Sequence, residues 1–498
     1  MNLPTLEMIN LVAALPLLIL VGWGCVVLLV DLFIPTDRKY WTAWLAMLGM
    51  IGTAVALAIQ MLNFSRTGAA QFAFNNMLAV DGFSIFLQIL FIISAILGVL
   101  IALNYLPRHG IERGEYYTLL LFTTTGMMLM AMANDLIVVF LALELLSIPL
   151  YIMSGFARPR VDSEESAMKY FLLGAFAGGF LVYGIALTYG GTGTTSLAGV
   201  VKALSGQARN PALAFVGLGL ILVGLGFKVA AVPFHMWTPD VYQGAPTPVT
   251  AFMSVGAKAG GFASLLRVLV IAFPSISTEW GTLVAIIAGL TMILGNFVAI
   301  SQTDIKRMLA YSSIAHAGYI LVAVAAAQNP QVAPYAVSAA VFYLLTYAVT
   351  NLGAFSLVIA VEKDDGSGTQ IDDFAGLAKT RPMMALAMTL FMMSLIGVPP
   401  SAGMVGKFFV FQAAIRASEG NLLLLIVTII GVLTSVVSAF YYLRVVVVMY
   451  MRDGEGKAVV QPPLGVALGL TALGTLLLGI LPAPVFQMAQ QALLRLSS

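Results

Sequence analysis

The chain has 498 residues, 60% of them hydrophobic and only 9% charged, with a formal net charge of +2 and a mean hydropathy of +0.98. A soluble domain carries about 25% charged residues, so this composition excludes a soluble enzyme, and the small net charge offers no basic surface for nucleic acid. The single cysteine, Cys25, makes no intrachain disulfide and no cysteine-ligated cluster or zinc site.

A helix needs roughly 20 mainly apolar residues to cross a bilayer, and about fourteen such stretches follow one another along the chain. They run over 9–33, 41–63, 80–104, 116–133, 135–157, 167–190, 211–232, 247–273, 279–300, 306–327, 332–361, 383–417, 421–451 and 463–494. Unpaired backbone groups cannot face lipid, and no run alternates every second residue as a barrel strand does. The expected fold is therefore an all-α integral membrane protein of one polytopic domain. The first run is too long for a signal-peptide core and lacks a basic flank, so it reads as a retained helix. Basic residues in the loops set the orientation. With the N-terminus outside, the inner loops hold fourteen Lys and Arg, including Arg38, Arg108, Arg160, Lys306 and Arg444, against Arg66, Lys202, Arg209, Arg416 and Arg495 outside. Both termini are thus expected on the non-cytoplasmic side.

Two spans are interrupted in the same way. "GLGFKVAAVPFHMW" (224–237) carries Lys228 and Pro233, and "SLIGVPPSAGMVGKFF" (394–409) carries Pro399, Pro400 and Lys407. Proline inside a helix removes a backbone hydrogen bond and crowds the preceding turn, so helices 7 and 12 are expected to be discontinuous. Paired interruptions in two halves of a transporter mark inverted repeats around a central site. The expected organisation is three N-terminal helices (1–115), a five-helix repeat (116–273), a second five-helix repeat (279–451) and a C-terminal helix (463–494). The glycine-rich "GGTGTT" at 190–195 follows a helix rather than a strand and fails the context of a dinucleotide loop.

Few ionisable residues fall inside the apolar runs: Glu144, Lys169, Lys228, Lys258, Arg267, His316 and Lys407. A charge at mid-bilayer costs about 2.5–3.5 kcal/mol on insertion scales unless it faces a polar interior. Glu144 lies too deep to snorkel, and Pro149 frees a carbonyl near it. Lys258 has only small neighbours and room for water. Lys228 and Lys407 sit beside broken backbone, where a lysine either handles protons or ties off freed carbonyls. His316, in "SSIAHAGYI", lies among small and hydroxyl residues. Lys169 and Arg267 are nearer helix ends, where snorkelling and a structural role are favoured. His235 and Asp240, at the cytoplasmic end of helix 7, either cap backbone or give protons access. One carboxylate, three lysines and a histidine across both halves form a relay. Burial favours release of an ammonium proton and a neighbouring carboxylate favours its retention, so a change in Glu–Lys spacing switches a lysine between the two. The helix interiors hold no aspartate cluster of the kind a hard cation needs.

The motifs "DLIVVFLALELLSIPLYIM", "AMKYFLLGAFAGGF", "GFKVAAVPFHMWTPDVYQGAPTPVTAFMS", "SQTDIKRMLAYSSIAHAGY", "YLLTYAVTNLGAF" and "GVPPSAGMVGKFF" resemble the antiporter-like subunits of proton-pumping NADH–quinone oxidoreductase (respiratory complex I), over about residues 80 to 450. "ELLSIPLY" and "KYFLLGAFAGGF" resemble the subunit N type in particular, as does a chain that stops shortly after its last span. The resemblance implies that Glu144 pairs with Lys228, that Lys258 is the central relay, that His316 joins two half-channels and that Lys407 loads the last proton. It implies neighbouring membrane-arm subunits as partners in a multi-pass bacterial inner-membrane complex. This chain itself would hold no cofactor: NADH, flavin, iron–sulfur clusters and quinone belong to other subunits. A multi-subunit cation/proton antiporter and a membrane-bound hydrogenase share the pattern and remain alternatives.

Overall fold

The computed structural model describes residues 9–491 and 494. Residues 1–8 of the N-terminal unit, 492 and 493 of the last expected span, and Arg495 from the loop count lie outside the described residues. Fourteen helical units follow the expected spans: α1 Leu15–Asp31, α2 Tyr40–Thr67, α3 Gly82–Ala102, α4 Glu115–Met132, α5 Leu136–Ser154, α6 Val161–Thr192, α7a Pro211–Lys228 with α7b Trp237–Gly244, α8 Thr247–Ala272, α9 Ser277–Ile300, α10 Ile305–Ala326, α11 Ala333–Val361, α12a Pro382–Ile396 with α12b Ala402–Ala417, α13 Leu422–Met451 and α14 Pro462–Ile480. Among the described residues eleven helices are long and apolar enough to cross a membrane by themselves; α1, α4 and the two halves of α12 complete the set.

Helix starts follow from local chemistry. Asp81, Asp135, Asp304 and Asn421 each precede a helix and accept a backbone N–H from its first turn, as an N-cap should. α6 begins six residues before the apolar run, at Val161, because Asp162 and Glu164 favour a helix N-terminus. The last run does not continue as one helix. α14 ends at Ile480, and after Leu481 and Pro482 a short helix, Ala483–Gln490, starts afresh. Two further departures have no signal in the apolar pattern: π-helical turns at Met253–Ala257 and Val268–Ala272 within α8, and an antiparallel hairpin, β1 Gln71–Ala73 with β2 Leu78–Val80.

Both expected breaks are present. α7 is non-helical from 229 to 236, with Ala230 left-handed at φ 61°. α12 is interrupted from Gly397 to Ser401. Helices α8, α10 and α11 have 94% of their most apolar windows buried and make the centre of the bundle, whereas α2, α13 and α14 keep two thirds or more of theirs on the surface. Neighbours correspond between the halves: α4 packs on α5 as α9 packs on α10, α6 on α7a as α11 on α12b, and α8 on α4 as α13 on α9.

Candidate functional site

Four of the five relay residues lie in the interior. Lys228, the last residue of α7a, is 3% exposed. Its ammonium donates to Ser147 Oγ of α5 at 2.8 Å and Tyr170 OH of α6 at 3.1 Å. Tyr170 is held by a parallel stack on Trp237 of α7b, with ring centroids 4.5 Å apart. The carbonyls freed by the break are taken by other donors: Trp237 Nε1 reaches Phe227 O at 3.0 Å and Ala231 N reaches Gly226 O at 2.9 Å. Lys228 is therefore not the group that ties off its own break.

α8 runs along the stem of Lys228, for a Cβ at Gly261 would come within 3.3 Å of Lys228 Cγ. One turn earlier, Lys258 is 2% exposed and donates to the carbonyl and hydroxyl of Ser313 on α10. Its ammonium lies 5.5 Å from the Tyr347 ring centroid. On the same turn of α10, Ser312 hydrogen-bonds Tyr442 OH. Tyr442 OH in turn lies 3.2 Å from His316 Nε2, and Tyr343 OH lies 2.7 Å from His316 Nδ1. Lys407, on α12b, is 5% exposed and does tie off its break. Its ammonium donates to Leu395 O at 3.0 Å and Ile396 O at 2.8 Å, and also to Ser435 Oγ at 2.6 Å. It stands 4.6 Å from the Tyr319 ring centroid. Tyr319 joins a further network through Asn296 to Tyr441.

Glu144 is the exception. It is half-buried, in line with the exposed Leu141 and Ile148 of α5. Among the described residues no ion pair within 4.0 Å joins it to Lys228, but the two charges interact across the gap; the lysine's hydrogen bond on α5 goes to Ser147, one turn on. Arg267 does not snorkel. It is wholly buried and forks onto Asp81 at 2.9 and 3.1 Å, with its Nε on Ala131 O at 2.9 Å. Lys169 pairs with Glu165 and Asp240 at 2.7 Å each, and Arg307 meets the other Asp240 oxygen at 2.7 Å. Asp240 thereby clamps α6 to α10 rather than capping backbone. His235 is partly buried, close to the Pro233 backbone.

The hydroxyl groups around Lys228 and His316, above all Tyr170, Tyr343 and Tyr442, were not picked out by sequence. Their one signal was the repeat of polar residues one turn apart in Ser312, His316 and Tyr319. Among the described residues no group of three or more His, Cys, Asp or Glu is placed to hold a metal ion.

Two broken helices, each with a buried lysine, in a bundle of fourteen helical units define an antiporter-like membrane subunit. Residues 133–434 match the family model described as NADH:quinone oxidoreductase/Mrp antiporter, transmembrane region. NADH-quinone oxidoreductase subunit N of Trichlorobacter lovleyi is 47% identical over 491 residues, covering 98% of this chain and 97% of the relative. The chain belongs to that family, the N subunits of NADH-quinone oxidoreductase, and is a multi-pass membrane protein. Among solved structures, a chain of respiratory complex I from Thermus thermophilus is 36% identical, with a TM-score of 0.78, over 95% of this chain and 99% of that one. A chain of the Mrp complex from Dietzia sp. has a TM-score of 0.82 at 22% identity, over 97% of each chain, a likeness of fold.

Proposed function

We propose that the chain is a proton-translocating subunit in the membrane arm of NADH–quinone oxidoreductase, and that Glu144, Lys228, Lys258, His316 and Lys407 carry the proton. The observation that carries this reading is the set of three buried lysines and a histidine in the interior of the bundle, each hydrogen-bonded to hydroxyl groups of its own. A scaffold has no need of three buried ammonium groups, each costing kilocalories in hydrocarbon. Helices α4–α8 and α9–α13 act as inverted repeats, a reading supported by their matching neighbours and matching breaks. The bias of basic loop residues supports both termini on the non-cytoplasmic side, and bacterial relatives support the inner membrane. NADH, flavin, iron–sulfur clusters and quinone are handled by partner subunits. The 47% identity to an N subunit favours this over an Mrp-type antiporter.

The test is a purified, reconstituted complex carrying Lys228→Ala or Lys258→Ala. The expected result is loss of most NADH-driven proton pumping with all subunits retained. A normal proton-to-electron ratio in either assembled variant overturns the relay.

A further inference from the structure

One cluster of titratable groups lies outside the lysine series. Glu362, the residue after α11, is 2% exposed. Its carboxylate accepts from Tyr105 OH at 2.8 Å and from Thr247 Oγ1 at 2.6 Å, and His109 Nε2 stands 3.8 Å from Oε1. Tyr105 and His109 follow α3 and stack with centroids 3.8 Å apart; Thr247 is the first residue of α8. The ends of three helices therefore converge on one buried carboxylate. Positive charge collects at the same place. Arg108 donates to the Glu362 backbone carbonyl and pairs with the exposed Asp364 at 2.5 Å. Lys306 also reaches Glu362 electrostatically, and Arg160 reaches Tyr105. Asp364 brings the cluster to the surface. A tie between helix ends needs hydrogen bonds but not an acid.

From this carboxylate a polar seam leads inward between the antiparallel α8 and α11. Thr247 meets Glu362, Asn351 Nδ2 donates to Ser254 Oγ at 2.7 Å, and Lys258 lies against the Tyr347 ring. Positions 247, 254 and 258 share one face of α8, and 347 and 351 share one face of α11, with Glu362 just beyond its end. Among the described residues Asn351 Oδ1 is buried with no hydrogen-bond partner, and Tyr347 OH has at most Ser313; a buried polar atom left without a partner is the condition that holds ordered water inside proteins. The widest step, from Thr247 to Ser254, is about 10 Å at 1.5 Å per residue, a span for a few waters.

We propose that Glu362 is the intake carboxylate of a proton path along the α8–α11 seam to Lys258. A proton from the aqueous phase passes His109 or water to the Glu362 carboxylate. It then moves along waters held by Ser254, Asn351 and Tyr347 to a neutral Lys258, and Glu362 returns to its charged form. The path rests on reading Lys258 as a relay residue, so the experiment tests both separately.

Proton uptake per NADH oxidised is measured on the intact complex in liposomes for Glu362→Gln, Glu362→Asp, Asn351→Leu and Lys258→Ala. Glu362→Gln keeps the size of the side chain and one of its two acceptor oxygens but cannot pass a proton. The expected result is loss of uptake in Glu362→Gln and Asn351→Leu and retention in Glu362→Asp. Normal uptake in Glu362→Gln with loss in Lys258→Ala overturns the path and leaves the relay standing. Normal uptake in Lys258→Ala overturns both. If Glu362→Gln does not assemble, Asn351→Leu decides, and normal uptake in that variant overturns the path.

Discussion

Lys228 stands just before its helix break and Lys407 just after its own, and their hydrogen bonds run to different partners. Lys228 donates to two side-chain hydroxyls on other helices, whereas Lys407 donates to two main-chain carbonyls of its own broken helix and to one hydroxyl. One lysine reaches toward the first half of the bundle; the other holds its helix together.

Replacing Lys407 with Met should therefore cost stability as well as pumping. It leaves the Leu395 carbonyl without its donor, at about 1–3 kcal/mol for an unsatisfied buried group, and the Ile396 carbonyl with Ser435 Oγ alone. The hydroxyls left by Lys228→Met can turn to other acceptors, so that change should cost less. Thermal unfolding of the purified complexes, followed by loss of this subunit, should place the Lys407 variant clearly lower. Equal melting of the two variants would contradict the capping role.

Tyr170→Phe should leave assembly intact, because the stack on Trp237 survives the loss of a hydroxyl. Lys228 then retains only Ser147 among its two acceptors. The expected outcome is a partial fall in pumping, smaller than for Lys228→Ala, measured as the initial rate of NADH-driven acidification at constant NADH oxidation.

Arg267→Met should be destructive in a different way. It takes the guanidinium away from the buried Asp81 carboxylate, and breaking a buried pair costs about 3–5 kcal/mol. The yield of assembled complex should drop sharply while the molecules that do assemble pump at the normal ratio. A changed ratio with normal yield would make Arg267 part of the relay.

Gly397 ends α12a with φ 95°, a region in which a side chain costs roughly 1–2 kcal/mol. A Cβ there would also press on Lys407 Cδ at 3.1 Å. Gly397→Ala should reproduce part of the Lys407→Met destabilisation, read by the same melting experiment.

The spans were legible because a bilayer demands long apolar runs, and the breaks were legible because Pro233 and Pro399–Pro400 cannot continue a helix. Lys228, Lys258 and Lys407 stood out because an ammonium in hydrocarbon is costly. Other features depend on contacts that no local pattern encodes. Asp81 and Arg267 are 186 residues apart in sequence, so nothing near Arg267 announced its partner. Tyr343 and Tyr442 sit in apolar helices, where tyrosine is unremarked until its hydroxyl meets His316. The exposure of Glu144 is set by which helices pack beside α5, and the hydrogen bond from Lys228 to Ser147 joins residues 81 apart in sequence.

The three acceptors around Lys407 match the three hydrogens of an ammonium group. A neutral amine has only two to offer. When Lys407 gives up its proton, one of Leu395 O, Ile396 O and Ser435 Oγ loses its donor, and the grip between α12a, α12b and α13 slackens by one bond. Charge at this lysine is thus also a latch, and the hinge of α12 registers whether it is occupied.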